Sequence, residues 1–326
     1  MSYVDIFKMT IIVTGTTGQL GHDVMFELAR RGHEIIGSAR RIPEVLPKEI
    51  KPLDLDIRTP GFVKMDLTDE AAVKAAVAEL RPDAIIHCAA WTAVDAAEEP
   101  ENREAVYDAN VLATRFLAEA AKDVGAKMVY ISTDYVFSGE GTRPWLPDDK
   151  CFAPLNMYGQ SKLDGELAVA SVLEKFYTVL TAWVFGKNGK NFVRTMLNVG
   201  KTHGTVRVVN DQIGTPTYTP DLARLLADMI ETEKYGYYHA TNSEVHPGEY
   251  ISWYDFTKEI YRQAGLKTEV IPVSTEEYGL SKARWPYNSR LDKSKLTEEG
   301  FALLPTWKDA LGRYLFEIGD LADGTD

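Results

Sequence analysis

The stretch that most restricts how this chain can fold is an apolar run, Ile11-Ile12-Val13, leading directly into Gly15-Thr16-Thr17-Gly18-Gln19-Leu20-Gly21. It reads as a buried strand, a glycine turn and the start of a helix. Such a turn brings backbone N–H groups and a helix N-terminus up to a pyrophosphate, because the glycines remove the Cβ atoms that would block the approach. The spacing, G-x-x-G-x-x-G, differs from the G-x-G-x-x-G of the better-known dinucleotide fingerprint.

The first half continues this alternation, which is the pattern of a parallel sheet covered on both faces. Strands are expected at 9–13, 34–38, 62–65, 84–90 and 127–131, and helices over 19–31, from the Asp66-Leu67-Thr68-Asp69 cap to about residue 80, and over 101–124. The Pro-containing run 42–61 reads as a loop. A strand at 177–183 follows, and then the alternation loosens: helices are expected at 191–201 and 252–264, Asp211–Tyr218 as loop entering extended chain, and a helix starting at Asp221. The fold class is therefore α/β, a Rossmann-like doubly wound parallel sheet with a smaller α/β substrate-binding lobe. Residues 1–185 with about 216–240 would form the first part, and about 186–215 with 241–326 the second. In such folds the ligand cleft lies beyond the carboxyl ends of the strands, where Gly15, Ala89, Thr133 and Trp183 would emerge together.

Composition narrows the partners. A chain of 326 residues, 45% apolar and 26% charged, can bury a large core, and its formal charge of −12 argues against nucleic acid or an anionic membrane. A local basic pocket for a phosphorylated ligand stays open. Residues 1–8 contain Asp5 and Lys8 and no apolar core of signal-peptide length, and no apolar run approaches membrane-spanning length, so a cytoplasmic protein is expected. Cys88 and Cys151 are too few for a disulfide framework or a zinc site, and no metal is expected.

A second stretch carries chemistry. Tyr158 and Lys162 are four apart in a helical segment and so share a face. A phenol titrates near pH ~10, and an ammonium beside it is the obvious means of lowering that value and making it a usable proton donor. Two solvated side chains would show the same spacing, so the company of the pair decides. That company is the glycine turn and Tyr130-Ile131-Ser132-Thr133-Asp134-Tyr135-Val136-Phe137, a strand ending in hydroxyls.

With these three stretches the chain resembles the extended short-chain dehydrogenase/reductases and, within them, the dTDP-4-dehydrorhamnose reductase family. The resemblance implies that Tyr158 gives a proton to a carbonyl oxygen oriented by Thr133. It implies that Lys162 lowers the tyrosine pKa and holds the nicotinamide ribose, and that Asn110 kinks its helix and orders a water near the lysine. An exposed helix asparagine is the other reading of Asn110. Gly15, Gly18 and Gly21, with Thr17, Gln19 and Leu20, would make the pyrophosphate turn; Asp66 and Leu67 would meet the adenine; Ala89 and Ala90 would line the ribose of the nicotinamide. Independently of the resemblance, Arg40 and Arg41 end the second strand with no acidic residue beside them, which suits a ribose 2′-phosphate and favours NADPH over NADH. Ordinary surface arginines would look alike.

Further blocks extend the resemblance over nearly the whole chain: Trp91-Thr92-Ala93-Val94-Asp95-Ala96-Ala97-Glu98, Pro154-Leu155-Asn156, Asn191-Phe192, Asp211-Gln212 with Gly214, Pro216 and Thr217, and Arg284–Asp292. In the last, Trp285 stands where an arginine before the proline is usual. Substrate contacts are implied for Thr92, Val94, Asp134, Tyr135, Trp183, Asn191, Gln212, Arg284 and Arg290. The tryptophans Trp183 and Trp285 could stack on a base or sugar, or belong to the core. The implied reaction is the NADPH-dependent reduction of the 4-keto group of dTDP-4-dehydro-L-rhamnose, with a dTDP-sugar as small-molecule substrate. The alternatives are a reductase or epimerase of another nucleotide sugar, and a non-catalytic NADP-binding regulatory subunit resembling that of methionine adenosyltransferase. The oligomeric state is left open, a homodimer among the candidates.

Overall fold

The computed structural model describes residues 8–40 and 61–322. Its centre is a seven-stranded parallel sheet built from β1 (Thr10–Thr14), β2 (Glu34–Ala39), β3 (Gly61–Lys64), β4 (Ala84–His87), β5 (Lys127–Thr133), β6 (Phe176–Thr181) and β7 (Gly236–His239), in the order β7-β6-β5-β4-β1-β2-β3. Side chains alternate across the strands, as the period of two requires. Ile11 and Val13 of β1 enter a cluster with Ile86, Val129 and the helices α1 (Gln19–Arg30) and α5 (Thr219–Ile230). Ile12 points the other way, into a cluster with Ile85, Met128 and the helices α2 (Glu70–Leu80) and α3 (Ala113–Val124). Fully burying each such side chain contributes roughly 1.5–3 kcal/mol, which is why both faces of the sheet must be covered. The strand order reverses between β1 and β4, so the crevice for a ligand opens beyond their carboxyl ends.

A separate apolar cluster forms around the helices Phe192–Thr202, Trp253–Gln263 and Trp307–Ile318, with Leu197, Phe256, Ile260, Leu311 and Tyr314 at its centre. Beside it, Thr205–Val209 and Glu269–Val273 pair in parallel. Among the described residues no helix is long and apolar enough to cross a membrane.

Three elements differ from expectation, each for a local reason. The helix expected over 101–124 is broken: a 3-10 turn at Pro100–Asn102 and a short helix Arg103–Tyr107 precede a π-helical turn at Asp108–Leu112, and α3 follows. The strand expected over 84–90 stops at His87, because the β1 ladder it pairs with ends at Thr14 and the Ala89 N–H turns to the Thr14 hydroxyl instead (3.2 Å). The strand expected over 177–183 ends at Thr181, and Trp183 has φ 52°, a left-handed conformation that bulky residues rarely adopt. The run 42–60 lies outside the described residues.

Candidate active site

The glycine turn is shaped by contact. Gly15 has φ +68°, and a Cβ there would lie 2.6 Å from the Ala89 nitrogen. A Cβ on Gly21 would lie 2.4 Å from the Gly15 carbonyl oxygen, so no side chain larger than hydrogen lets α1 start this close to the turn. Gly18 caps α1 without a side-chain hydrogen bond. The first-turn amides are thus left for an anion, which the positive end of the helix dipole also favours. A dinucleotide pyrophosphate fits this cradle. Thr17 is exposed, Gln19 reaches the carbonyl of Lys190, and Leu20 turns away into the core.

At the end of β2, Arg40 is exposed, and Arg41 lies outside the described residues. Asp66 faces it after β3. Hydrogen bonds from the Thr68 amide and hydroxyl hold its carboxyl below the usual carboxylate range, with the Arg40 charge adding to them. Leu67 packs against the α2–α3 face of the sheet, and Ala89 and Ala90 follow β4, half-buried.

Thr133 ends β5 and starts a 3-10 turn at Asp134–Val136, its hydroxyl donating to Asp134 Oδ1 at 3.1 Å. The helix α4 (Met157–Val172) is locked onto this turn at its first residues. Asn156 caps it through the Gly159 amide (2.8 Å), and Glu98 accepts the Met157 amide (2.7 Å). Gly159 lets the helix approach: a Cβ there would meet the Tyr135 carbonyl oxygen at 2.3 Å. Tyr158 is thereby set beside Thr133, with its ring edge against Tyr135 (5.5 Å between centroids), and Tyr135 in turn meets Trp285 at 5.9 Å.

Burial pushes the Tyr158 phenol well up, its hydrogen bond with Thr133 pulls it back, and the Asp134 charge pushes it up again. Lys162 is buried one turn further along the same helix. Its ammonium stands 4.1 Å over the Tyr130 ring, a cation–π position, and burial pulls it down to about 7 against the opposing charge of Glu166. Asp134 is 1% exposed and raised to about 6, chiefly by burial, with the Ser289 and Thr133 hydroxyls opposing. Its Oδ2 is buried without a hydrogen-bond partner among the described residues.

Asn110 lies in the π-helical turn and is 1% exposed, which sets aside the reading as a surface residue. Its Oδ1 accepts the Trp91 amide (2.7 Å), and its Nδ2 donates to the Trp91 carbonyl (3.2 Å) and to Ser161 Oγ (2.9 Å). It therefore ties the loop after β4 to the helix carrying Tyr158 and Lys162. Turns of this kind are frequent at functional sites.

The residues implied for substrate are spread more widely. Thr92 is exposed and Val94 opens a short helix, Val94–Ala97. One face of Trp183 is covered by Trp253, stacked at 3.8 Å. Asn191 is buried as the cap of Phe192–Thr202, its amide shared among Gln19, Gly186 and Tyr314. Gln212 is buried and donates to Thr275. Arg284 is exposed, its carbonyl accepting from Asn156. Arg290 is half-buried, bonded to Asn288 and 5.8 Å over Tyr250. Trp285 Nε1 is buried and unpartnered among the described residues. Asp95 and Glu98 do not stand out in the sequence beyond their place in the Trp91–Glu98 block. Asp95 accepts the Lys282 and Ala283 amides and so draws the 284–292 stretch toward the loop after β4. Their one signal was acidic residues inside an otherwise apolar run.

The chain is similar to known proteins. Residues 9–319 match the family model described as the RmlD substrate binding domain. The spore coat polysaccharide biosynthesis protein SpsK of Bacillus subtilis is 34% identical over 96% of this chain and 99% of its own length. The dTDP-4-dehydrorhamnose reductase of Escherichia coli is 34% identical over 95% of this chain and 98% of its own. A crystal structure of dTDP-4-dehydrorhamnose reductase from Bacillus anthracis in complex with NADP is similar with a TM-score of 0.82, at 38% identity, covering 95% of this chain and 100% of that one. With a family match spanning nearly all of its length, the chain belongs to the family of the dTDP-4-dehydrorhamnose reductases.

Proposed function

We propose that the protein reduces the 4-keto group of dTDP-4-dehydro-L-rhamnose to dTDP-L-rhamnose with NADPH. The observation that carries this reading is the gathering of Thr133, Tyr158 and buried Lys162 at the rim of the sheet that also carries the uncapped glycine turn. Gly15, Gly18 and Gly21 would hold the dinucleotide pyrophosphate, Arg40 its 2′-phosphate and Lys162 its nicotinamide ribose; the bound reduced nicotinamide supplies hydride to the carbonyl carbon. Tyr158 donates its proton to the carbonyl oxygen as alkoxide character develops there. The Thr133 hydroxyl orients that oxygen and shares the charge. Burial that keeps Tyr158 protonated suits a proton donor, and Lys162 provides a cation close by once charged. Arg284 and Arg290 are the cations for the substrate diphosphate, taking over from the arginine that Trp285 replaces.

In this reading residues 1–185 with about 216–240 bind the dinucleotide, and about 186–215 with 241–326 bind the sugar nucleotide. A reaction fed by NADPH and a nucleotide sugar fits a cytoplasmic location. The set of Thr133, Tyr158 and Lys162 favours an enzyme over a regulatory subunit. Incubation with NADPH and a panel of 4-keto nucleotide sugars, followed at the reduced-nicotinamide absorbance band, tests it. Consumption is expected with the dTDP-4-keto sugar, and the reading falls if none of the panel is reduced.

A further inference from the structure

Behind the reacting groups lies a buried carboxylate that the reaction as proposed does not use. Glu166 follows Lys162 by four residues on α4, so the two share a face, and it is 1% exposed. The hydroxyl of Ser132 donates to its Oε1. Ser132 is 3% exposed and directly precedes Thr133 on β5. One short link thus joins the turn of α4 that carries Lys162 to the strand end that carries Thr133.

The groups around Glu166 come from every neighbouring element. Lys162 faces it from its own helix, Ser132 and Tyr130 from β5, Lys150 from the stretch before α4, and Tyr237 from β7. Lys150 lies 4.1 Å over the Tyr237 ring. A carboxylate buried for packing alone is a poor choice, since an apolar side chain of similar volume does that work without the desolvation penalty. Its presence beside a buried lysine calls for an electrostatic role. Burial raises Glu166 to about 7, against the Ser132 hydrogen bond and the Lys162 charge. Of the influences that oppose the downward pull on Lys162, Glu166 is the largest.

We infer that Glu166 and Ser132 form a positioning pair: the carboxylate favours the charged form of Lys162, and the Ser132 bond fixes Lys162 and Thr133 relative to one another. The inference rests on the roles proposed above for Tyr158, Lys162 and Thr133. The direction follows from the charges. An adjacent carboxylate stabilises the ammonium, so its removal lowers the lysine pKa, and any rate that needs charged Lys162 falls off at lower pH than before.

Two substitutions separate the parts. Glu166→Gln keeps an acceptor for Ser132 and removes the charge, whereas Ser132→Ala keeps the charge and removes the bond. The readouts are the pH profile of kcat/KM and, on the protein without nucleotide, an NMR titration of the lysine side chains with the Lys162 signal assigned by Lys162→Met. For Glu166→Gln the Lys162 titration and the alkaline limb of the profile should both move down by about one pH unit. For Ser132→Ala, kcat should fall about tenfold with a smaller movement of that limb, as expected of a small misplacement of reacting groups. An unmoved titration in Glu166→Gln overturns the charge role, and a wild-type kcat in Ser132→Ala overturns the positioning link; the serine variant decides alone if the glutamine variant does not fold. Tyr158→Phe in parallel keeps the two readings apart. Turnover retained there sinks the assignment of reacting groups, whereas turnover lost there with both other variants unchanged sinks only this inference.

Discussion

Two buried carboxylates, each on a helix packed against the large sheet, are compensated in opposite ways. Asp221 on α5 is 3% exposed, and both of its oxygens are taken: Arg313 reaches Oδ1 at 2.9 Å and Oδ2 at 2.6 Å, Arg224 reaches Oδ1 at 2.9 Å, and Asn242 reaches Oδ2 at 2.8 Å. Arg313 belongs to the helix Trp307–Ile318, so this charge cluster clamps the large sheet to the second apolar cluster. Burial works against the guanidinium, yet its bonds and proximity to Asp221 and Asp309 hold it above its ordinary range. At the active site Glu166 has a serine for a partner and no guanidinium, and Asp134 keeps one oxygen unpartnered among the described residues. Lys162, Glu166 and Asp134 are accordingly displaced toward neutrality, where groups can exchange protons in the working range of an enzyme. The clamp pairs each carboxylate oxygen of Asp221 with a charged or amide donor, and the rim leaves its carboxylates with fewer partners.

The largest effect that would test this contrast belongs to Tyr158. Tyr158→Phe should lower kcat by ~10²–10⁴, the usual worth of general acid catalysis, while leaving the thermal midpoint and NADPH affinity close to wild type. Steady-state kinetics with fluorescence titration of NADPH check it, and a turnover near wild type would remove Tyr158 from the reaction. Arg313→Leu addresses the clamp and should do the reverse. It strips Asp221 of its bidentate partner but leaves Arg224 and Asn242, so a loss of about 2 kcal/mol in unfolding free energy is expected, below the cost of breaking a fully buried pair. Denaturant unfolding would read it, and an unchanged midpoint would show that the clamp is ornamental. Smaller again is Arg40→Ala, expected to weaken NADPH binding about tenfold and to leave NADH almost untouched. Equal losses for both nucleotides would take Arg40 away from the 2′-phosphate.

How much of this was legible beforehand follows the same division. The strand, glycine turn and α1 could be read because their burial repeats with a simple period, and the Asp69 cap of α2 because its hydrogen bond to the Ala72 amide is local. The π-helical turn at Asn110 has no local signal, and only the family resemblance implies a kink there. It depends on α4 lying so close that a Cβ at Gly165 would meet the Asn110 carbonyl oxygen at 2.6 Å, a contact between distant stretches. Trp183 reads as the end of a strand, because nothing local announces that an aromatic residue stacked on Trp253 will adopt a left-handed conformation. Glu166 is hidden in the sequence for a related reason. Lysine followed four residues later by glutamate on a helix reads as a solvated pair, but α4 buries Ser161, Lys162 and Glu166 along with its apolar residues. The polar side chains Ser161, Lys162 and Glu166 of this helix are buried, and its pattern carries no sign of that.

The smallest expected effect tests the contrast from the side of stability. Asp134 titrates at about 6 in the folded protein, above the ordinary 3.8, because burial disfavours its charge more than the Ser289 and Thr133 hydroxyls favour it. Between those two values the folded state binds more protons than the unfolded state, so the Asp134 contribution falls as pH rises through the window and stays low above it. Asn at this position carries no charge and escapes that loss. Asp134→Asn should therefore gain on the order of 1 kcal/mol relative to wild type between pH 4 and pH 8, seen as a thermal midpoint that rises relative to wild type by about 2 °C over that range. Asp221→Asn should show no such gain, because there the neutral amide leaves Arg313 without its carboxylate. If Asp134→Asn tracked wild type at every pH, the strained charge at the rim would be absent and the difference between the two regions would reduce to their hydrogen-bond counts.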